Sequence, residues 1–267
     1  MSIQAMYTAT TGLTALSDAV DITANNLANV NTTGFKRSRA NFEDLFYLEK
    51  QRAEITNSDG ISKPAGTYIG LGTQISNTQR IFTQGSAIQT DSPTDMMIQG
   101  QGLFRVKTCP DVGGGLAYTR SGNFIKNRDG NLVLANSDGY LLDPPIVIPQ
   151  EATQVQIQTD GVVQVMLPGQ TQPQNVGQVQ LYRFANEAGL ADAGSNLLTQ
   201  TEASGQAIEA QPSTNGMGEI RAGYLEASNV DAVTELVSLI KTQRAFELNS
   251  QVITAGNEML QTVTHLR

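Results

Sequence analysis

One long amphipathic stretch at the C-terminus constrains this chain more than any other feature. From Asn229 to Leu266, apolar side chains recur at spacings of three and four residues, with a one-residue slip of phase between Ile240 and Ala245, which is the pattern of one helical stripe. A continuous helix over these residues would be roughly 57 Å long at about 1.5 Å per residue, and a domain of ordinary size cannot cover it. The stripe consists of Val230, Val233, Val237, Ile240, Ala245, Leu248, Val252, Ala255, Met259 and Leu266. The helix therefore needs a partner of similar length.

The ends of this helix are also marked in the sequence. Ser228 and, three residues later, Asp231 make a start that resembles a capping box. His265 and Arg267 lie at the other end, where a cation suits the helix dipole.

The only stretch of comparable pattern lies at the opposite terminus. Between residues 3 and 30 the three-four spacing is occupied by Ile3, Met6, Thr10, Leu13, Ser17, Val20, Ala24 and Leu27. This spacing predicts an N-terminal helix that pairs with the C-terminal one as a coiled coil. Asp18 and Asp21 are the only charged residues before Lys36. An outer face so poor in charge favours contact with further helices, and the alternative is an ordinary two-helix coil with a solvated Ser/Thr face.

The centre of the chain changes to a period of two. Val155, Ile157 and Thr159 alternate up to Asp160-Gly161, and Val163, Val165 and Leu167 alternate after it, which predicts a hairpin. Arg128–Asn131 and Asp138-Gly139 predict two further turns. The predicted fold class is α+β, with a central all-β domain of short strands. The predicted domains are an N-terminal helix (1–34), an extended connector (35–75), the β domain (76–227) and a C-terminal helix (228–267).

Composition excludes several classes of function. A formal net charge of −8 and a pI near 4.7 argue against binding nucleic acid or an anionic membrane surface. Cys109 is the single cysteine, so no internal disulfide is expected. No apolar run reaches the length of a membrane-spanning helix, and the N-terminus lacks the pattern of a cleavable signal, so neither is expected.

No catalytic, metal or cofactor site is expected. His265 and Cys109 are the only residues of their kinds, which argues against a zinc site and a Cys-His nucleophile. Paired carboxylates for sugar cleavage stay open as an alternative, because Asp91, Asp95, Asp129, Asp138 and Asp160 all lie near predicted turns. Asp before Gly at a hairpin tip more often serves the turn itself.

Two terminal motifs resemble a known family. The N-terminal motif is Asn25-Asn26-Leu27-Ala28-Asn29-Val30 followed by Thr33-Gly34-Phe35-Lys36. The C-terminal motif runs from Gly223-Tyr224 to Asn229-Val230-Asp231 and continues with Gln243-Arg244-Ala245. Both resemble the signatures of the bacterial flagellar rod and hook proteins, and stretches between residues 82 and 133 resemble the middle of that family.

The resemblance implies a structural, self-assembling axial subunit rather than an enzyme. The connector at 46–75 resembles an insertion of the distal-rod branch, and the sibling axial proteins of the proximal rod or hook are the alternative. The resemblance also implies that copies form a helical homopolymer next to proximal rod, hook and ring proteins. It further implies passage through the flagellar export apparatus to a place spanning the periplasm. The subunit contacts would come from the paired helices, through Ile3, Met6, Leu13, Val20, Leu27, Val233, Val237, Ile240, Leu248, Val252 and Met259. A glycan-binding or hydrolytic β domain on a helical stalk is the remaining hypothesis.

Overall fold

The chain divides into two compact units, which we call unit 1 and unit 2. A computed structural model describes the backbone of residues 2–51, 65–170 and 172–265. Unit 1 comprises Met1–Ala28, Ser38–Arg80 and Asp231–Arg267, and unit 2 comprises Asn29–Arg37 and Ile81–Val230. Both units are thus built from segments that are distant in sequence.

Unit 1 contains both long helices and two pairs of antiparallel strands. Its helices are α1 (Ser2–Ala28) and α2 (Ala232–His265). Its strands are β1 (Ser38–Asp44), β2 (Tyr47–Gln51), β3 (Thr67–Gly70) and β4 (Thr73–Arg80). β1 pairs with β4, and β2 pairs with β3. The segment predicted to be an extended connector therefore contains four strands joined by short turns and loops, and residues 52–64 lie outside the described part.

Helix α2 begins later than the sequence pattern predicts. Asp231 caps it, because the Asp231 Oδ1 atom accepts a hydrogen bond from the Val233 amide at 3.2 Å. The hydroxyl of Thr234 donates to the other carboxylate oxygen at 2.5 Å. Ser228 instead accepts from the Val230 amide, in the turn before the helix. The carboxylate of Asp231 thus takes the role that the sequence assigned to Ser228.

The prediction of an α+β fold with the terminal helices paired as a coiled coil is wrong. Both helices exist, but they flank a large all-β centre, and the apolar stripe of α2 does not face α1. Val233 is 68% exposed, Ile240 55% and Leu248 63%. The buried positions of α1 are instead occupied by small or short polar side chains, namely Ala9, Gly12, Ala15, Ala19, Thr23 and Asn26.

A glycine of each helix lies where the two helices approach each other most closely. A Cβ atom on Gly12 would lie 3.1 Å from the Asn249 side chain, and one on Gly256 would lie 2.9 Å from Met6. These two contacts run in opposite directions along the helices, so the pair is antiparallel. Small residues let the helix backbones approach closely, whereas knobs-into-holes packing requires large side chains in the seam. The heptad pattern therefore marked the wrong face of α2 for this contact.

Unit 2 consists of short antiparallel strands. Seven of them form one sheet in the order β16-β17-β8-β7-β11-β10-β9, and β12-β13-β14 form a second sheet. The other pairs are β15 with β18, β19 with β6, and β20 with β5. The strands are β5 (Ala87–Gln89), β6 (Met96–Gln99), β7 (Phe104–Lys107), β8 (Leu116–Thr119), β9 (Phe124–Lys126), β10 (Leu132–Leu134), β11 (Leu141–Asp143), β12 (Gln154–Ile157), β13 (Val162–Met166), β14 (Gln174–Gln178), β15 (Leu181–Arg183), β16 (Ala191–Gly194), β17 (Leu197–Thr199), β18 (Ile208–Ala210), β19 (Glu219–Ala222) and β20 (Tyr224–Glu226).

The period-two pattern correctly located one hairpin of this unit, and the turn dipeptides located two further turns. β12 and β13 pair in register, with Ile157 opposite Val163, around the predicted Asp160-Gly161 turn. The two other predicted turns connect β9 to β10 and β10 to β11. Alternate apolar side chains of these strands, such as Val163 and Val165, enter one buried core together with Phe104 and Phe124. The rings of Phe104 and Phe124 meet edge to face at 5.3 Å between centroids.

Candidate functional site

The outer face of α2 carries an unpartnered apolar stripe. We call it the outward stripe and define it as Val233, Val237, Ile240, Leu248, Val252 and Met259, which are all exposed. The partly buried residues of α2 that alternate with it, such as Leu239, Asn249 and Ile253, lie on the other face. Single exposed apolar residues are normal on a protein surface, but a contiguous row of them marks an interaction site.

The predicted assembly residues of α1 are less exposed than those of α2. Met6, Leu13, Val20 and Leu27 are each partly buried, and the side chain of Ile3 lies outside the described residues. A shallow groove between the helices is lined by Ser17, Val20, Gln243, Phe246 and Glu247. The role of all these residues in subunit contacts stays a prediction.

Within the N-terminal motif, Asn26 forms hydrogen bonds that hold the chain that follows α1. Its Nδ2 atom donates to the Ser38 carbonyl at 2.8 Å, and its Oδ1 atom accepts from the Ser38 amide at 2.9 Å. Nδ2 also lies 3.4 Å from the Glu235 carboxylate in the first turn of α2. Asn25 and Ala28 are exposed, and Leu27 is partly buried. The asparagine thus connects the end of α1, the start of β1 and the start of α2 within unit 1.

The second half of the N-terminal motif lies in unit 2. Asn29 accepts a hydrogen bond from the Thr32 hydroxyl at 3.1 Å, which closes the turn after α1. Phe35 is buried. Gly34 has a φ of +73°, and a Cβ atom there would lie 2.6 Å from the Ser121 amide nitrogen, so only glycine fits. The turn thereby delivers Lys36 into the interior.

Lys36 meets the C-terminal motif region through Glu226. The Lys36 ammonium donates to Glu226 Oε1 at 2.6 Å and to the Thr83 carbonyl at 2.7 Å. The backbone repeats the connection, because the Gly34 amide donates to the Glu226 carbonyl at 2.8 Å. The two terminal motifs are therefore joined inside unit 2.

Arg120 supplies a second cation to the same carboxylate. Its Nε atom donates to Glu226 Oε2 at 2.5 Å, and its remaining donors reach the carbonyls of Ile98, Gly100 and Gly102 at 2.5–2.9 Å. The Gly85 amide donates to Glu226 Oε1 at 2.9 Å. Lys36, Arg120 and Glu226 are all buried. We call these three side chains the charged hub.

The electrostatics of the hub favour an ionised Glu226. Burial raises the pKa of the Glu226 carboxyl, but the charges of Arg120 and Lys36 and their hydrogen bonds outweigh burial and hold the pKa below its ordinary value. A buried ion pair whose polar atoms are all hydrogen-bonded holds its geometry firmly, and removing one partner leaves an uncompensated charge. The hub thus holds three distant parts of the chain together by buried ion pairs.

Asn229, in the C-terminal motif, makes a second fastening in unit 2. Its Oδ1 atom accepts from the Arg37 amide at 2.7 Å, and its Nδ2 atom donates to the Ile81 carbonyl at 2.7 Å and to Thr83. Directly beside it, the Ile81 amide donates to the Arg37 carbonyl at 2.9 Å. Val230 is buried, and Asp231 caps α2 as described above. The motif asparagine therefore holds three chain segments together.

The rest of the C-terminal motif lies along α2. Gln243 and Arg244 are exposed, and Ala245 is partly buried. Arg244 donates to Glu247 one turn further along the helix at 2.7 Å. Both side chains are mostly exposed, so this pair contributes little to stability.

Sequence reasoning assigned no role to Arg120 or Glu226, although they complete the hub. The available signal was a charged residue within a short strand of otherwise apolar or small residues, as in Leu225-Glu226. Such a residue is buried only when it is paired. Its partner cannot be read from the sequence, because Lys36 and Glu226 are 190 residues apart.

One cavity of about 220 Å³ adjoins the hub. Lys36, Arg120 and Glu187 line it together with Gly100, Gln101 and Gly102. Burial raises the pKa of Glu187, and the charges of Arg120, Lys36 and Arg183 oppose this shift. The mixture of cations and a carboxylate gives the cavity no chemistry that selects one kind of ligand.

Cys109, His265 and Asp160 were further candidate site residues from the sequence. Cys109 is exposed, and His265 lies in the last turn of α2. Asp160 accepts from the Val162 amide at 3.1 Å, which is turn chemistry. Among the residues that the structure describes, no group of three or more His, Cys, Asp or Glu side chains could hold a metal ion. Within the same part of the chain, no helix has both the length and the apolar character needed to cross a membrane.

Three family models match this chain in the regions that build the hub and the helices. Residues 6–36 match the flagella basal body rod protein family, and residues 97–165 match the flagellar hook protein FlgE/F/G D1 domain. Residues 221–266 match the C-terminal region of the flagellar basal body rod FlgEFG proteins. Lys36, Arg120 and Glu226 thus come from one matched region each.

Relatives that match over almost the whole length of this chain are also flagellar basal-body rod proteins. The flagellar basal-body rod protein FlgG of Caulobacter vibrioides is 47% identical over 99% of this chain and 100% of that protein. The proteins of the same name from Borreliella burgdorferi and Bacillus subtilis are 43% and 35% identical, each over 99% of both chains. The solved flagellar hook protein FlgE2 of Helicobacter pylori is 15% identical and covers 64% of this chain and 48% of that one, with a TM-score of 0.24.

These relatives confirm the family that the terminal motifs predicted. They match the chain over almost its whole length, and the region-by-region matches fall where the motifs lie. The chain therefore belongs to the flagellar basal-body rod proteins and is a structural subunit of the flagellar basal body.

Proposed function

We propose that copies of this chain polymerise into the distal part of the flagellar rod, a rigid helical tube that transmits motor torque to the hook. The observation that carries the proposal is the outward stripe of α2, six exposed apolar side chains on the face turned away from α1. Apolar surface of this kind is stabilised when it is removed from water. In a rod protein, the partner that covers it is a neighbouring subunit.

The asymmetry of the helix pair supports a filament rather than a closed dimer. The outward stripe lies on α2, whereas the outer face of α1 is small and polar, with Thr10, Thr14, Ser17 and Ala24 exposed. Two different faces make a heterologous contact, and such a contact generates an open helical filament when its rotation does not close. The β strands of unit 2 would add lateral contacts that stiffen the tube.

The proposed position in the rod determines which proteins are neighbours of the subunit and how the chain is exported. Neighbours would be proximal rod proteins at one end, hook protein at the other and ring proteins around the outside. The chain would reach this place, across the periplasm, through the flagellar export apparatus without a cleaved signal. The structural role requires no catalysis and no cofactor.

Assembly of the purified full-length protein tests the proposal. We expect sedimentation and electron microscopy to show filaments that form above a critical concentration. The double variant Leu248→Ser with Val252→Ser should stay monomeric, because it removes the centre of the outward stripe, while the unfolding temperature of the monomer should not change.

A matched control separates assembly from general surface apolarity. Ile125 and Val147 of unit 2 are 49% and 50% exposed. The double variant Ile125→Ser with Val147→Ser should therefore polymerise as the unmodified protein does. A protein that remains monomeric at every concentration, or a stripe variant that polymerises normally, would overturn the proposal.

A further inference from the structure

Two basic side chains are exposed on the outer surface of α2. Lys241 and Arg244 are one helical turn apart and exposed, and Arg244 lies within the outward stripe between Ile240 and Leu248. The pairing of Arg244 with Glu247 is exposed to water and easily exchanged. Arg244 also belongs to the C-terminal motif, so the fold of one copy leaves a motif residue without a role.

Two exposed side chains on α1 carry the opposite charge. Asp18 and Asp21 are exposed, again one helical turn apart, and the sequence has no other charge before Lys36. Ala15, Ala19 and Thr23 of the same helix are buried, whereas both carboxylates remain in contact with water within one copy. Neither carboxylate forms an ion pair within the part of the chain that the structure describes.

We propose that the outward stripe of one copy docks on the outer face of α1 of a second copy, where Lys241 and Arg244 meet Asp18 and Asp21. The inference rests on the proposed polymerisation and names the two faces that make the contact. Each face carries a pair of like charges with the same one-turn spacing, and the two pairs have opposite sign. Charge complementarity of this kind fixes the register of an interface and suppresses wrong partners.

The surroundings of the acidic pair suit a close contact. Thr10, Thr14, Ser17 and Ala24 flank it, and these short side chains let the apolar residues of a neighbouring helix approach the backbone. Additional charged side chains on this face would lose their water in the contact without gaining a partner of opposite charge. The apolar contact could not offset that cost in free energy. The two aspartates are the only charges on this face, and the proposed contact pairs both.

Charge reversal in the full-length protein tests the inference. The variant Asp18→Lys with Asp21→Lys, and separately Lys241→Glu with Arg244→Glu, should each raise the critical concentration for polymerisation by about tenfold or more, because like charges then face each other. The variant that combines all four substitutions should return the critical concentration to within about threefold of the unmodified protein. Helix content by circular dichroism should be unchanged in all three.

A control variant separates the proposed contact from an effect of the net charge on polymerisation. Asp111 and Asp129 are exposed in loops of unit 2, and replacing both by lysine changes the net charge as much as the α1 variant does. This control should polymerise at the unmodified concentration. If it is impaired to the same degree as the α1 variant, or if the fourfold variant is not restored, the pairing is wrong.

Cross-linking gives a second, independent measurement. In a Cys109→Ser background, which has no other cysteine, copies with Asp21→Cys are mixed with copies with Arg244→Cys and oxidised after assembly. We expect disulfide-linked dimers of mixed composition. Filaments without such dimers would refute this contact and leave the proposed function intact, whereas a failure of the unmodified protein to form filaments would refute the proposed function itself.

Discussion

Glu226 accepts a hydrogen bond from the ammonium group of Lys36 at 2.6 Å, although 190 residues separate them. Arg120 binds the other oxygen of the same carboxylate. One buried carboxylate from the C-terminal matched region thus binds cations from the N-terminal and the central matched regions. The stability of unit 2 should depend on it more than on any exposed ion pair.

The variant Glu226→Gln should strongly destabilise unit 2. The amide keeps the shape of the side chain but leaves the charges of Lys36 and Arg120 buried without a counter-ion, so we expect a loss of about 3–5 kcal/mol in the free energy of unfolding. Urea unfolding followed by the near-ultraviolet dichroism of the buried Tyr118 and Tyr182 measures it. Glu219→Gln, an exposed change on the neighbouring strand, should cost less than about 0.5 kcal/mol. Equal losses in the two variants would contradict the role of the hub.

Acid should remove the contribution of Glu226. Its folded-state pKa lies below the ordinary value of about 4.3. The stabilisation is therefore complete above that unfolded-state pKa and is lost as the pH falls through the lower folded-state pKa. The difference in unfolding free energy between the unmodified protein and Glu226→Gln should be constant from pH 7 to about pH 5 and shrink below about pH 4. A difference that does not depend on pH would show that folding does not lower the pKa of Glu226.

The variant Gly34→Ala should be far more harmful than Gly139→Ala. Both glycines have positive φ angles, +73° and +61°, so both alanines carry a backbone penalty of about 1–2 kcal/mol. Only at Gly34 would the new Cβ atom also collide with the backbone of Ser121, whereas nothing lies within 4 Å at Gly139. Thermal unfolding should show a loss at Gly34 at least twice that at Gly139. Similar losses would mean that the Gly34 turn can move away from Ser121.

The variant Asn26→Ala should loosen unit 1 where β1 begins. It removes both hydrogen bonds to the Ser38 backbone and should cost about 2 kcal/mol, since the polar groups left behind are partly buried. Hydrogen exchange at the Ser38 amide should accelerate by about tenfold or more. Asn257→Ala, an exposed change on α2, serves as the control and should leave that amide protected. Unchanged protection in Asn26→Ala would contradict the fastening.

The sequence predicted those parts of the structure that depend on neighbouring residues. The turn at Asp160-Gly161 and the alternation around it are local, so the β12–β13 hairpin was predicted correctly. Both long helices were also found, since their three-four spacing extends over many turns.

The contact between the helices was predicted wrongly, because large apolar residues were assumed to face the partner helix. Gly12, Ala15 and Ala19 make the inner face of α1 instead, and Leu248 and Val252 of α2 remain outside. A subunit that is covered by further copies needs apolar residues on both sides, and periodicity cannot say which side serves which partner. The hub was missed for a different reason, because a pair such as Lys36 and Glu226 exists only in the folded chain.

The hydrogen bond between the Ile81 amide and the Arg37 carbonyl brings two distant positions of the chain together in unit 2. The residues between these two positions leave unit 2 and return to it at adjacent points of the backbone. An excursion that begins and ends at one place can grow or shrink at little entropic cost, about 0.6 kcal/mol for each doubling of a flexible loop. We therefore expect that the length of the segment 38–80 can change with little effect on the stability of unit 2.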